Sequence, residues 1–144
     1  MISIRHVALV VDDIDRSYKL YRDVLGFVPK IDRIEKGEFY EHLTGLKSGV
    51  VRTSKCYSMD GSCLELIEYQ SQNSEKRNKK MTSDGFNHIA LNVSDLEYLY
   101  IKLKNIGIKF INKPKLNPEK NAKVTFCMDF EGNLLELVQT NFTK

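Results

Sequence analysis

The chain has few cysteines and no long apolar run, and both shortages limit what it can be. Its three cysteines, Cys56, Cys63 and Cys127, form no C-x-x-C pair. An odd number in that arrangement predicts neither a disulfide framework nor a cysteine-based zinc site. No apolar run reaches the roughly 18 residues that a membrane helix needs. The first residues, MISIRHVALVVDDID, lack the pattern of a secretory leader. We therefore expect a cytoplasmic protein in a reducing compartment.

Charge and aromatic residues give no indication of a nucleic-acid partner. The formal net charge is only +3, and seven Tyr and seven Phe are spread along the chain instead of alternating with arginines. The length of 144 residues and the hydrophobic content of 42% are those of one domain with a core of its own.

An internal repeat is the most informative feature. The segment HVALVVDDIDRSYKLYRDVLGF from His6 matches HIALNVSDLEYLYIKLKNIGIKF from His88. Further along, GSCLELIE from Gly61 matches GNLLELVQ from Gly132. Between the copies, SQNSEKRNKKMTSDG is polar, basic and without periodicity, which predicts a linker.

Each copy is predicted to form a strand, a helix and three further strands. RHVALVV alternates like a strand, and DDIDRSYKLYRDVLG has capping acids, helical spacing and a stop at Gly26. FVPKIDRI predicts a second strand and GEFYEHLTGL a short helix or a loop. VVRTSKCYSM and SCLELIEYQ predict a hairpin that turns at Asp60 and Gly61. The sequence therefore predicts an α+β fold of two tandem βαβββ modules, residues 1–70 and 86–144, joined by a linker at 71–85 within one domain.

Two acids recur in the middle of apolar strands, Glu65 in CLELIEYQ and Glu136 in LLELVQT. Strand alternation places His6 on one face of the first strand and Glu65 on one face of the fourth, away from the apolar positions that suit the helices. His88 and Glu136 hold the equivalent positions. A lone strand His is more often a hydrogen-bonded core residue, and a lone Glu can lie on an exposed edge. The matched set favours a metal site formed by His6, Glu65, His88 and Glu136, because a buried carboxylate needs a cationic partner.

These segments resemble the vicinal oxygen chelate superfamily, which includes glyoxalases, methylmalonyl-CoA epimerase, extradiol dioxygenases, and fosfomycin and bleomycin resistance proteins. The resemblance runs over nearly the whole chain and implies a glyoxalase-like fold, with the paired modules forming a cupped mixed sheet around a metal ion. The superfamily's metal positions fall on His6, Glu65, His88 and Glu136. The resemblance leaves the reaction open, because related members share the site and differ in chemistry.

The set of four candidate ligands indicates which branches of that superfamily the chain resembles most. A His, Glu, His, Glu set resembles glyoxalase I, whereas extradiol dioxygenases and fosfomycin-modifying enzymes generally use two His and one Glu. Bleomycin-binding members lack the set. Methylmalonyl-CoA epimerases usually have Gln where Glu65 stands. Glutathione-dependent glyoxalases typically carry Arg four residues after the first His, and Val10 in that position argues against glutathione.

Such a site has a definite chemistry. Two neutral imidazoles and two carboxylates balance a divalent ion and leave about two of six octahedral positions open. A substrate with two neighbouring oxygens could chelate the ion, and Glu136 or Glu65 could remove the proton α to its carbonyl to give an enediolate. We expect Ni, Co, Zn or Mn, with Fe less favoured, and a lyase or isomerase of the lactoylglutathione lyase type.

Three alternatives remain open at this point. They are a methylmalonyl-CoA epimerase-like isomerase, an Fe(II) extradiol-type dioxygenase, and a non-catalytic small-molecule binding or resistance protein. The expected partner is a small carbonyl compound, without nucleic acid or membrane. A homodimer is implied by the resemblance, and short open sheets have edges to cover.

Overall fold

The computed structural model describes residues 1–76 and 78–140. The chain separates into two compact units, Met1–Lys76 and Arg77–Lys144. The division lies inside the stretch 71–85 that the sequence predicts as a linker, and the exact limits of the two modules stay a prediction. No helix among the described residues is long and apolar enough to cross a membrane.

The first unit is a four-stranded mixed sheet with two helices. The elements are β1 (Val7–Val10), α1 (Ile14–Tyr21), β2 (Val28–Glu35), α2 (Glu38–Thr44), β3 (Val51–Tyr57) and β4 (Cys63–Tyr69). The strands lie in the order β1-β4-β3-β2, with β1 parallel to β4 and the other neighbours antiparallel.

The second unit repeats this plan in shorter form. The elements are β5 (His88–Asn92), α3 (Leu96–Asn105), β6 (Lys109–Phe110), β7 (Lys115–Leu116), β8 (Lys123–Met128) and β9 (Leu134–Gln139). The strand order is β5-β9-β8-β6, with β5 parallel to β9 and β7 paired to β8. The two units confirm the predicted α+β class and its repeated βαβββ pattern.

Two elements differ from the prediction. Helix α1 ends at Tyr21, short of Gly26, because the chain continues in wider turns in which the Leu25 amide donates to the Leu20 carbonyl. In the second unit the strand predicted after the helix, in IKFINKP at 108–114, is reduced to β6, and a separate short piece, β7, begins just after that stretch. Pro114 lies between the two pieces and has no N–H to donate to a strand ladder.

Each long helix is attached to its sheet by the same device. The first amide of α1, on Ile14, donates to the Glu68 carboxylate at 2.8 Å, and the first amide of α3, on Leu96, donates to the Gln139 side-chain oxygen at 2.9 Å. These side chains satisfy helix N–H groups that have no partner within the helix. Glu68 and Gln139 therefore lie on the helix-facing side of β4 and β9.

The core lies on that same side of each sheet. The neighbours of Glu65 in β4, Leu64 and Leu66, are buried, as are the neighbours of Glu136 in β9, Leu135 and Leu137. Side chains alternate along a strand, so Glu65 and Glu136 point to the other face of each sheet. The face assignment predicted from the sequence agrees with this burial.

Candidate metal site

In the first unit, His6 and Glu65 lie in direct contact. His6 immediately precedes β1, and the parallel pairing of β1 with β4 sets Ala8 opposite Glu65. The imidazole Nε2 of His6 is 3.1 Å from Oε2 of Glu65. The Glu65 side chain is 11% exposed and that of His6 30%. A carboxylate this well covered needs a partner, and His6 supplies one.

The second unit repeats this contact. Ala90 lies opposite Glu136 in the parallel pairing of β5 with β9, and His88 Nε2 is 3.3 Å from Glu136 Oε2. The Glu136 side chain is more open than that of Glu65, with 25% of its surface exposed. The structure therefore brings each predicted histidine to its predicted glutamate within its own unit.

Each unit alone supplies two of the predicted ligands. Among residues 1–76 and 78–140, no group of three or more His, Cys, Asp or Glu side chains forms a metal-binding cluster. That His6 and Glu65 share one ion with His88 and Glu136 stays a prediction.

The donor atoms of the two pairs fit a divalent ion. In both pairs Nε2 of the imidazole faces the carboxylate, and nitrogen with oxygen suits first-row metals. The other ring nitrogen of His88, Nδ1, is 2.7 Å from the Asn87 side-chain oxygen. Such a contact holds a ligating imidazole in one tautomer. Nδ1 of His6 is buried and has no hydrogen-bond partner among residues 1–76 and 78–140. The sequence analysis did not predict this role for Asn87, although its position directly before His88 could have indicated it.

Lys55 is a further residue at the first pair that the sequence analysis missed. It lies directly opposite Glu65 in the antiparallel pairing of β3 with β4. Its ammonium Nζ is 3.7 Å from Oε1 of Glu65, and its side chain is only 19% exposed. The hairpin turn at Gly61 fixes this register, so counting back from the turn could have found it.

Phe126 holds the same position in the second unit. It lies opposite Glu136 in the pairing of β8 with β9. Its ring packs edge to face against the His88 imidazole, with centroids 5.1 Å apart. One acid thus has an ammonium opposite it, and the other has an aromatic ring.

Two tyrosines extend the Glu65 face of the first unit. Tyr57 lies opposite Cys63, whose hydrogen bond raises the pKa of the Tyr57 hydroxyl. Tyr40 of α2 is buried. Burial is the main cause that raises the pKa of its hydroxyl to about 12, and a hydrogen bond with Tyr69 adds to the effect. Both phenols are therefore neutral hydrogen-bonding groups at physiological pH.

Comparison with known families agrees with this geometry. The family model of the Glyoxalase/Bleomycin resistance protein/Dioxygenase superfamily matches residues 3–137. The chain belongs to that superfamily. The match includes both His–Glu pairs, so the resemblance read from the sequence is confirmed.

The most similar relatives include enzymes named for one reaction. The chain is 28% identical to "Lactoylglutathione lyase" of Schizosaccharomyces pombe over 98% of its own length, but it spans only 48% of that protein. It is 27% identical to "Probable lactoylglutathione lyase" of Synechocystis sp., covering 96% of both chains. Among solved structures, a glyoxalase family protein from Bacillus cereus shares the fold, with a TM-score of 0.88 at 20% identity over 96% of this chain and 94% of that one.

Proposed function

We propose that this superfamily member is a metal-dependent lyase or isomerase of the glyoxalase type. It removes the proton α to a carbonyl from a small substrate that binds through two neighbouring oxygens. The observation that carries the proposal is the matched pair of contacts, His6 with Glu65 and His88 with Glu136, at equivalent positions of a duplicated unit.

The metal would be held by His6, Glu65, His88 and Glu136, within one chain or across a homodimer. These four donors accept several first-row ions, of which nickel, cobalt, zinc and manganese are proposed. When bound, such an ion supplies Lewis-acid stabilisation of negative charge on the substrate's oxygens.

Glu136 is proposed as the general base. It is the more exposed of the two acids, and among the described residues His88 is the only basic side chain in contact with it. Glu65 has both carboxylate oxygens in use, one beside His6 and one beside Lys55. A carboxylate that is open on one side can turn toward a substrate and accept its proton, whereas Glu65 is held in place.

Val10 argues for a substrate other than a glutathione adduct. Its side chain is on the same face of β1 as Ala8 and is 45% exposed. The resemblance places a carboxylate-binding arginine at this position in glutathione-dependent enzymes. The names of the relatives therefore support the lyase chemistry here and leave glutathione outside the proposal.

The test measures metal and proton transfer separately. Protein purified without added metal is assayed for bound ions. The nickel-loaded form is then incubated in D₂O with α-hydroxycarbonyl compounds and with acyl thioesters, and exchange of the α proton is followed by NMR. We expect exchange in at least one compound, and none with metal-free protein. Bound metal without exchange in any compound would favour the binding-protein reading.

Glu136→Gln is the sharpest variant. The amide oxygen can still contact an ion, but it cannot accept a proton, so turnover should fall by roughly 10²-fold while metal is retained. Glu119→Gln, on the exposed surface of the same unit, is the control and should behave like the unmodified protein. Unchanged turnover in Glu136→Gln with metal bound would show that Glu136 is not the general base.

A further inference from the structure

The two oxygens of Glu65 face different basic side chains. Oε2 lies 3.1 Å from the His6 imidazole, and Oε1 lies 3.7 Å from the Lys55 ammonium. Glu65 is thus shared between a predicted metal ligand and a lysine. Among the described residues, this carboxylate is the only ion-pair partner of Lys55.

Packing of the sheet does not require a cation at this position. In the second unit Phe126 lies opposite Glu136 in the same register and packs on His88. Covering four fifths of a lysine side chain has a desolvation cost that an aromatic or aliphatic residue would avoid. The lysine therefore needs a reason beyond the fold.

Charge balance indicates what that reason is. Under the proposed function, two carboxylates already balance a divalent ion, and Lys55 adds one positive charge beside it. The next carboxylate on this face, Glu35, accepts hydrogen bonds from Arg33 at 2.9 Å and Thr53 at 3.2 Å. The loaded site would then carry an excess positive charge next to the open ligand positions, where an anion is favoured.

We propose that Lys55 selects a substrate that carries a carboxylate beside its chelating carbonyl. This inference rests on the proposed function and narrows its substrate to an oxo or hydroxy acid. The Lys55 ammonium would donate to the substrate carboxylate while Glu65 stays on the ion. Lys55 is then a specificity-determining residue, and Glu136 accepts the proton α to the carbonyl as in the proposed function.

Two probes that differ only in the anionic group test this. Hydroxypyruvate and hydroxyacetone share the HOCH₂–CO unit, with a carboxylate in one where the other has a methyl. Dissociation constants of both are measured by calorimetry on the nickel-loaded protein. The same titrations are run on Lys55→Met, Lys55→Gln and Lys55→Arg. In each case nickel affinity is measured first.

Lys123→Met is the matched control. Lys123 has a similar exposure of 21% and also contacts a carboxylate, Glu97, at 3.0 Å. It pairs with Gln139 and so lies on the helix-facing side of its sheet, away from Glu136. Its loss should leave both probe affinities and nickel affinity unchanged.

Loss of Lys55 should weaken binding of the anionic probe without weakening binding of nickel. Lys55→Met and Lys55→Gln should weaken hydroxypyruvate by about tenfold or more, the usual scale for a lost charged hydrogen bond, and leave hydroxyacetone unchanged. Both variants should bind nickel at least as tightly as the unmodified protein, because a repelling charge is gone. Lys55→Arg should keep the preference for hydroxypyruvate.

A purely structural lysine would give a different pattern, in which nickel and both probes weaken together in Lys55→Met and Lys55→Gln. That pattern would overturn the inference. So would an unchanged preference for hydroxypyruvate in these variants, which would mean that its carboxylate binds the metal directly. In either case the proposed function would stand if nickel binding and proton exchange persist in the unmodified protein. A protein that binds no nickel or other divalent ion would overturn both.

Discussion

The two units carry the same His–Glu pair of candidate ligands in different surroundings. In the first, Lys55 lies opposite Glu65, and in the second, Phe126 lies opposite Glu136. The His–Glu contacts and the hydrogen bonds that attach the helices are alike in both units. The features that recur are those that the repeated fold and the proposed metal ligands require. The residues that differ, Lys55 and Phe126, lie opposite the two acids, where the proposed function would have a substrate distinguished.

The units also differ in how the helix-facing side is held. In the first unit Arg52 donates to Asp32 and Asp15, and the Tyr18 hydroxyl bridges Asp32 and Ser54. Arg52 corresponds in the repeat to Lys123, which contacts Glu97. A guanidinium that serves two carboxylates ties helix α1 to strands β2 and β3. The ammonium contact of Lys123 with Glu97 ties α3 less firmly to β8, because an ammonium lacks the planar fork with which a guanidinium binds two carboxylates.

The largest expected effect tests whether the two halves are equivalent. His6→Ala and His88→Ala should each lower metal affinity by about 100-fold or more, because each removes one nitrogen ligand and leaves the carboxylates less well compensated. Metal content after dialysis and calorimetric titration with nickel measure this. If only one of the two variants lost metal, the site would belong to one unit and the four-ligand proposal would be wrong.

A smaller effect should separate the two histidines. Asn87→Ala removes the contact to Nδ1 of His88 and should weaken metal binding by about tenfold, a usual loss for a residue that orients a ligand. Arg5 holds the corresponding place before His6, whose Nδ1 has no hydrogen-bond partner in the part of the chain that the structure describes, so Arg5→Ala should change nickel affinity little. Equal losses of nickel affinity in Asn87→Ala and Arg5→Ala would show that the contact to Nδ1 of His88 does not orient that imidazole for metal binding.

The smallest effect concerns stability and its dependence on pH. The hydrogen bond from Arg52 is the main cause that lowers the pKa of Asp32 below its ordinary value. Stability from this pair is therefore present above the unfolded pKa of about 3.9 and is lost as the pH falls through the lower folded value. Arg52→Met should cost about 1 kcal/mol in urea unfolding at pH 7, a figure kept small because Asp32 is partly exposed.

The same comparison at low pH completes that test. The difference in unfolding free energy between Arg52→Met and the unmodified protein should shrink as the pH falls below about 4 and through the lowered folded pKa of Asp32. Lys123→Met in the second unit should cost less than Arg52→Met at pH 7, since its partner Glu97 is more exposed. A pH-independent cost would show that Arg52 acts through packing and not through the ion pair.

Much of the candidate site could be predicted because the face of each residue depends on its own strand, and because the repeat shows which residues are equivalent. Alternation within a strand fixes the face of Glu65, and the repeat identifies Glu136, His6 and His88 as its equivalents. Lys55 was missed because its importance depends on a neighbouring strand, and single-strand alternation does not show what lies across the ladder. The separate short strands β6 and β7 were not predicted, because the residue pattern of IKFINKP does not show where its pairing with β8 stops.

What the sequence alone determined is the duplicated plan, the faces of its strands and the residue types of the candidate ligands. These follow from periodicity and from the cost of burying an acid without a partner. The tertiary structure decided which atoms meet. It set Nε2 of each histidine against its glutamate, and the ammonium of Lys55 against one acid where the ring of Phe126 lies against the other. The physical reason is that pairing between strands depends on register, and register is fixed by turns and packing across the whole sheet.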